Sequence, residues 1–174
     1  ILVLLGRMPD TNTALYIGEL DLHGNVRPVR GVLPMLTLPG ASSAIVPKTC
    51  AGEAFHGAVL SSTIEHLRDL LPGGLLYSPT NPSLQPIEPV RLDYPSAARP
   101  LEIAAAGRHN ILFVDHRGAR VNQCARWLAA IMPPMTREEA LDATSIHSVA
   151  GLLGNCGMLT NRPVRGPHHT VSAV

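Results

Sequence analysis

The sequence predicts an α/β fold in two pieces, and two observations carry that expectation. Short apolar runs at 43–46, 58–60 and 111–114 alternate with stretches of helical spacing. Between the second and third runs lies 77–97, where five prolines forbid a regular helix and favour extended, polyproline-like backbone. The expected organisation is a small α/β unit over 1–76, a proline-rich linker over 77–97 and a second α/β unit over 98–174.

In the first unit, 16–22 has the composition of a strand, His23-Gly24-Asn25 supplies turn chemistry, and 26–29 is the returning strand of a hairpin. A short helix is expected from Gly31 to about Leu38, ended by Pro39-Gly40. The run 43–46 reads as a buried strand, 51–55 as a helical turn and 58–60 as a further strand. Ser61-Ser62 offers an N-cap, and Ile64, Leu67, Leu70 and Leu71 then fall at helical spacing, so 63–71 is expected as a helix stopped by Pro72-Gly73-Gly74. In the second unit, Ala-rich 97–107 is a helix capped by Gly107, and 111–114 is a central parallel strand. Residues 121–131 form a helix closed by Pro133-Pro134. Thr136 with Glu139 resembles a capping box that opens a helix over 137–148, and glycine-rich 151–169 is loop or hairpin.

Composition excludes several classes. The 174 residues give room for one domain or two small ones, and 14 basic against 13 acidic side chains leave a net charge of +1. That is no electrostatic footprint for nucleic acid or an anionic membrane. The aromatic residues are Phe55, Phe113, Trp127, Tyr16, Tyr77 and Tyr94, too few for a surface that stacks successive bases. Three widely spaced cysteines, Cys50, Cys124 and Cys156, form neither a disulfide framework nor a zinc-finger pattern, so a reducing, cytoplasmic setting is expected. No run reaches the roughly 18 apolar residues of a spanning helix. The apolar opening 1–5 lacks the basic start and cleavage site of a signal peptide, and the chain begins with Ile, as a fragment or an unusually started product would.

A strand at 111–114, a turn, and a helix at 121–131 is the layout of a phosphate-binding loop. Such a loop needs G-x-x-x-x-G-K-[ST]: glycines let backbone N–H groups wrap the phosphates, the lysine meets the β- and γ-phosphates, and the hydroxyl holds Mg²⁺. Here the window reads Asp115-His116-Arg117-Gly118-Ala119-Arg120-Val121-Asn122. Asp115 and Arg120 stand at the outer glycines, Val121 at the lysine and Asn122 at the hydroxyl residue; Gly118 remains as the vestige of nucleotide binding.

The flanking strings carry a stronger signal. Leu101-Glu102-Ile103-Ala104-Ala105-Ala106-Gly107-Arg108-His109-Asn110-Ile111-Leu112 resembles the approach to the Walker A loop of magnesium-chelatase-like AAA+ ATPases, in their ComM (YifB) branch. So do Ile131-Met132-Pro133-Pro134-Met135-Thr136, Ser145-Ile146-His147-Ser148-Val149-Ala150-Gly151-Leu152 and Arg162-Pro163-Val164-Arg165-Gly166-Pro167-His168-His169. In the first unit, Ile17-Gly18-Glu19-Leu20 and 24–34 resemble the N-terminal domain of that family. The resemblance implies a partial ribosomal-S5-like, Lon-like domain followed by the N-terminal part of an AAA+ P-loop core. It implies ATP and Mg²⁺ as cofactors, assembly with AAA+ ring relatives, and ATP-driven DNA processing. It also implies that the acidic Walker B pair lies beyond His168-His169-Thr170, where the chain ends. The expectation is a truncated, degenerate member that has lost ATP hydrolysis, with no catalytic and no metal-binding residues of its own. The alternative is a non-enzymatic fragment that docks onto a full-length relative, or a non-functional, pseudogene-like product.

Other residues invite sharper readings that weigh less than plain ones. His168-His169 lacks a third ligand at useful spacing. His109 reads as a surface or capping residue, and Cys124 as core. Cys156 has no basic neighbour to activate it. Arg117 and Arg120 read as solvated charges beside the vestigial loop rather than as an anion site, and Arg27 and Arg30 as the polar side of a hairpin rather than a nucleic-acid contact. Ser61-Ser62 and Lys48 give no protease dyad.

Overall fold

The computed structural model describes residues 14–40, 42–79, 94–114, 119–154 and 157–167. The chain divides into two compact units that interleave in sequence: the first takes 1–84 and 138–159, the second 85–137 and 160–174.

The first unit is mixed α/β. Strands β1 (Ala14–Tyr16), β4 (Ser43–Pro47) and β5 (Leu60–Ile64) form a parallel sheet with β4 in the centre. Strands β2 (Glu19–Leu20) and β3 (Val26–Arg27) make the expected antiparallel hairpin. Helix α1 (Val32–Leu36) lies between the hairpin and β4, and α2 (Ala51–His56) links β4 to β5. Parallel neighbours need such a crossover, and the helices close one face. Alternation in β4 turns Ala44 and Val46 inward, onto Val32 and Leu36 of α1, Cys50 and Ala54 around α2, and Ile17 after β1. Burial pushes the Cys50 thiol pKa up, as expected of an inert core cysteine.

The stretch 60–71 corrects the sequence reading. It is a strand followed by a 3₁₀ turn over Leu67–Leu70, not one helix. Ser61 and Thr63 stand opposite Ala44 and Val46 in the sheet and are buried. Their hydroxyls are satisfied locally: Ser61 Oγ donates to the Val59 carbonyl (3.0 Å) and Thr63 Oγ1 to the Tyr77 carbonyl (3.2 Å). Polar residues that find such partners sit in a core strand without a desolvation penalty, and here they imitate an N-cap. Tyr77 also exchanges both backbone hydrogen bonds with Thr63 (2.7 and 3.0 Å), so the proline-rich stretch begins as an addition to the sheet edge. Of that stretch, 80–93 lies outside the described residues.

The 3₁₀ turn is capped by His66. Its Nδ1 accepts from the Arg68 N–H (3.0 Å), Nε2 donates to the His23 carbonyl (3.0 Å), and Asp69 accepts from the His66 N–H (2.9 Å). This ties the turn at 67–70 to the hairpin loop, whose own closure rests on Asp21 accepting from the N–H groups of His23 and Asn25 and from the Asn25 side chain, all at 2.9 Å. The Asn25 side-chain and backbone donors, then His23 and Arg27, hold the Asp21 carboxyl below its ordinary 3.8. The His66 and Glu65 N–H groups do the same for Asp69. Both folded values lie below the unfolded ones, so each contribution is complete above the ordinary carboxyl value and is lost as pH falls through the folded value. Acidification below about pH 4 is therefore expected to loosen the hairpin loop before the sheet. The Asn25 and His66 amide resonances should shift together in that window; resonances that stay fixed down to global unfolding would refute this.

The second unit holds α3 (Pro95–Gly107) and α4 (Ala119–Ile131), which pack on each other. Pro95 occupies the first helical position, where its missing N–H costs nothing. Arg162 donates from Nε to the Pro133 carbonyl (2.8 Å), pinning the turn after α4.

Helix α5 (Arg137–Ala150) belongs to the first unit from Glu138 onward. Its end is a Schellman motif: Gly151 N–H bonds to the Ser148 carbonyl (3.0 Å) and Leu152 N–H to the His147 carbonyl (2.8 Å), with Gly151 at φ 70°.

Candidate nucleotide-binding region

The approach to the loop starts at the end of α3. Arg108 N–H bonds to the Ala105 carbonyl and His109 N–H to the Ala104 carbonyl (2.9 Å), so this helix too ends in a Schellman motif. The left-handed position is Arg108 (φ 52°), one residue after the Gly107 that the sequence offered as cap. Gly107 is needed for a different reason. A Cβ there would stand 2.2 Å from His109 Nε2, so the imidazole folds over the glycine. His109 thus seals the helix end, in line with its reading as a capping residue. A non-glycine residue in the left-handed region costs roughly 1–2 kcal/mol, partly offset by the greater freedom of glycine in the unfolded chain. Arg108→Gly is accordingly expected to stabilise the protein by about 0.5–1 kcal/mol, read as a higher melting temperature. A lower one would show that the Arg108 side chain contributes more than the strain costs.

The run 111–114 corrects a second expectation. It forms no strand, and Leu112 and Val114 are 86% and 87% exposed. A strand is a property of a pair, and among the described residues this run has no strand beside it. The loop 115–118, with Asp115, Arg117 and the vestigial Gly118, lies outside the described residues. Helix α4 then begins at Ala119, which puts Arg120, Val121 and Asn122 in its first turn. Nothing is described of the Arg120 side chain. Val121 is half-buried, Asn122 exposed and Cys124 buried, as a core cysteine should be.

On the alignment with a phosphate-binding loop, the positions of the lysine and the hydroxyl residue carry Val121, which has no charge for the phosphates, and Asn122, which offers an amide. The single lysine of the sequence, Lys48, lies in the first unit, its Nζ 2.7 Å from Glu65 Oε1 and 4.4 Å above the Tyr77 ring. The Glu65 hydrogen bond raises the Lys48 pKa and keeps the ammonium charged. Among the described residues, no three His, Cys, Asp or Glu side chains are grouped to hold a metal. His168-His169 and Cys156 lie outside them.

The arginines of the first unit have structural neighbours. Arg27 lies 3.6 Å from Asp21, across the hairpin, and the Arg30 guanidinium packs over Gly151 at the negative end of α5. Ser61 and Ser62 are in β5, away from any helix start.

One polar cluster escaped the sequence reading. Glu53 Oε2 accepts from the Leu33 N–H of α1 (3.0 Å) and from Ser148 Oγ of α5 (2.5 Å). It joins three helices, across 95 positions in the case of Ser148. A first-turn glutamate in α2 is an ordinary helix signal, so nothing local marked it.

Comparison with known proteins places these features. Residues 92–174 match the family model described as magnesium chelatase, subunit ChlI. Competence protein ComM of Haemophilus influenzae is 29% identical over 177 residues, covering 90% of this chain and 34% of that protein. The chain is a member of the magnesium-chelatase-like ComM/YifB family. An uncharacterized relative in Mycobacterium tuberculosis is 34% identical over 172 residues, 91% of this chain and 34% of the relative. YifB of Salmonella typhimurium is 39% identical over 74 residues, 42% of this chain and 15% of YifB. The chain thus spans about a third of the length of the curated relatives that it matches along most of its own. The family resemblance carried by the strings at 101–112 and 131–152 is borne out. No helix among the described residues is long and apolar enough to cross a membrane.

Proposed function

We propose that this ComM/YifB-like chain is a non-hydrolysing relative of ATP-driven DNA-processing rings, and that it acts by association rather than catalysis. The observation that carries this reading is Val121 and Asn122 in the first turn of α4, at the positions that need lysine and a hydroxyl residue. The segment 98–174 is read as the N-terminal part of an AAA+ core with a degenerate Walker A loop, and 1–76 as a partial Lon-like, S5-like domain. The parallel βαβ of the first unit, with its helices on one face, is compatible with that domain without being specific to it. On this reading the chain works in the cytoplasm, and its partner is a full-length ring relative. DNA is the substrate of that assembly and not of the chain alone, whose net charge of +1 gives little attraction to phosphates.

The test is co-purification of the tagged chain with a full-length ComM/YifB relative, alongside a phosphate-release assay on each. Retention in the ring with no ATP turnover by the chain alone supports the association reading. Mg²⁺-dependent turnover by the chain alone overturns it, and failure to bind the ring leaves the pseudogene-like alternative standing in its place.

A further inference from the structure

We propose that α5 is a detachable latch on the first unit, able to open with its following segment while the sheet stays folded. The face that α5 buries consists of Ala140, Thr144 and Ser148, at i, i+4 and i+8, exposed by 5%, 0% and 3%. These are small residues that bring little apolar area to the contact. The larger apolar side chains Ile146, Val149 and Leu152 are 60–66% exposed. The helix is therefore docked through small side chains, and among the described residues of 137–159 Leu153, after the helix, is the one large apolar side chain that is buried.

One core cluster closes without it. The cluster of Ile17, Val32, Leu36, Ala44, Val46, Cys50 and Ala54 closes between α1, α2 and the sheet, without a residue of α5. The docking contact is polar and directional, chiefly Ser148 Oγ–H on Glu53 Oε2. Opening leaves no stranded carboxylate, because Glu53 keeps the Leu33 N–H and gains water. The other buried hydroxyl stays satisfied inside the moving piece: Thr144 Oγ1 donates to the Ala140 carbonyl and accepts from the Leu159 N–H (3.0 Å). The polar groups on both sides of the contact thus keep partners when apart. A packed core helix, with large apolar residues inward, would lack that property.

Native-state hydrogen exchange on the full chain tests this. The amides of α5 are expected to exchange through one shared opening, with a common urea dependence, and faster than those of β4. Ser148→Ala and Glu53→Gln are each expected to speed α5 exchange about tenfold, the order of one lost charge-assisted hydrogen bond, and to leave β4 unchanged. Combining them should add little to either alone, since both remove the same contact. Equal protection in α5 and β4 of the unaltered chain, or variants that shift both elements equally or neither, overturns the latch. The ranking in the unaltered chain decides the matter even if a variant fails to fold.

Discussion

The purified chain is expected to melt at the same temperature with and without millimolar Mg-ATP, and to release no phosphate above background. A ligand that binds only the folded state stabilises it by RT ln(1 + [L]/Kd), about 2.7 kcal/mol at a hundredfold excess over Kd. In a chain of this size that amounts to a rise of roughly 5–10 °C, well within reach of a simple melt. A functional loop obtains its affinity from a ring of N–H donors, one ammonium and one metal-bound hydroxyl. On the proposed alignment Val121 and Asn122 replace the last two, and Asp115 brings a negative charge to the position of the first glycine. Lys48, the single lysine, is paired with Glu65 and lies over the Tyr77 ring. Val121→Lys combined with Asn122→Thr is expected to restore little by itself, because Asp115 and Arg120 still occupy the glycine positions. A clear thermal shift in the unaltered chain would show that α4 still receives a nucleotide and would overturn the proposed loss.

Leu36→Ala should lower stability by about 2–5 kcal/mol, the range for a large-to-small change in a packed core. Leu36 is fully buried at the end of α1 and packs in the cluster that holds the helices on the sheet. Its side chain also fills the space beside Gly57, where a Cβ would stand 2.9 Å from Leu36 Cδ1, so the turn after α2 is built around it. Because the cavity would open beneath β4, the loss should appear as global destabilisation: a melting temperature lower by roughly 2–4 °C per kcal/mol, and faster exchange in β4. A drop below about 2 °C would mean that this cluster does not hold the first unit together. The contrast with Ser148→Ala, which should loosen α5 alone, separates core from latch.

The parts of the fold that were legible are those whose signal is local. Residues 43–46 announce a strand by apolar continuity, and 121–131 announce a helix, which the structure extends to 43–47 and 119–131. The family was legible for a related reason: long strings such as 101–112 survive side by side even where the loop between them has changed. The failures occur where a residue's role is set by something distant. Ser61 and Thr63 look like a helix start because their partners, the Val59 and Tyr77 carbonyls, follow from the fold and not from neighbouring letters. The run at 111–114 has a strand's composition, but composition does not supply a pairing partner. Gly107 and Arg108 are adjacent, and a shift of the left-handed position by one residue is smaller than the resolution of any capping rule. Glu53 and Ser148 are individually unremarkable, and their meaning lies in the 2.5 Å between them.

The interleaving of the two units bears on how such a chain could be cut, shuffled or inherited. A crossover or a protease nick anywhere in 80–93 divides the sequence into a front stretch and a rear one. In space it would strip the front of α5, since 138–159 belongs with 1–84. A hybrid joined at the prolines would present Glu53 to a foreign helix, and would keep the docking bond only if that helix brought a hydroxyl to the position of Ser148. The proline-rich stretch is thus a poor place to divide the molecule.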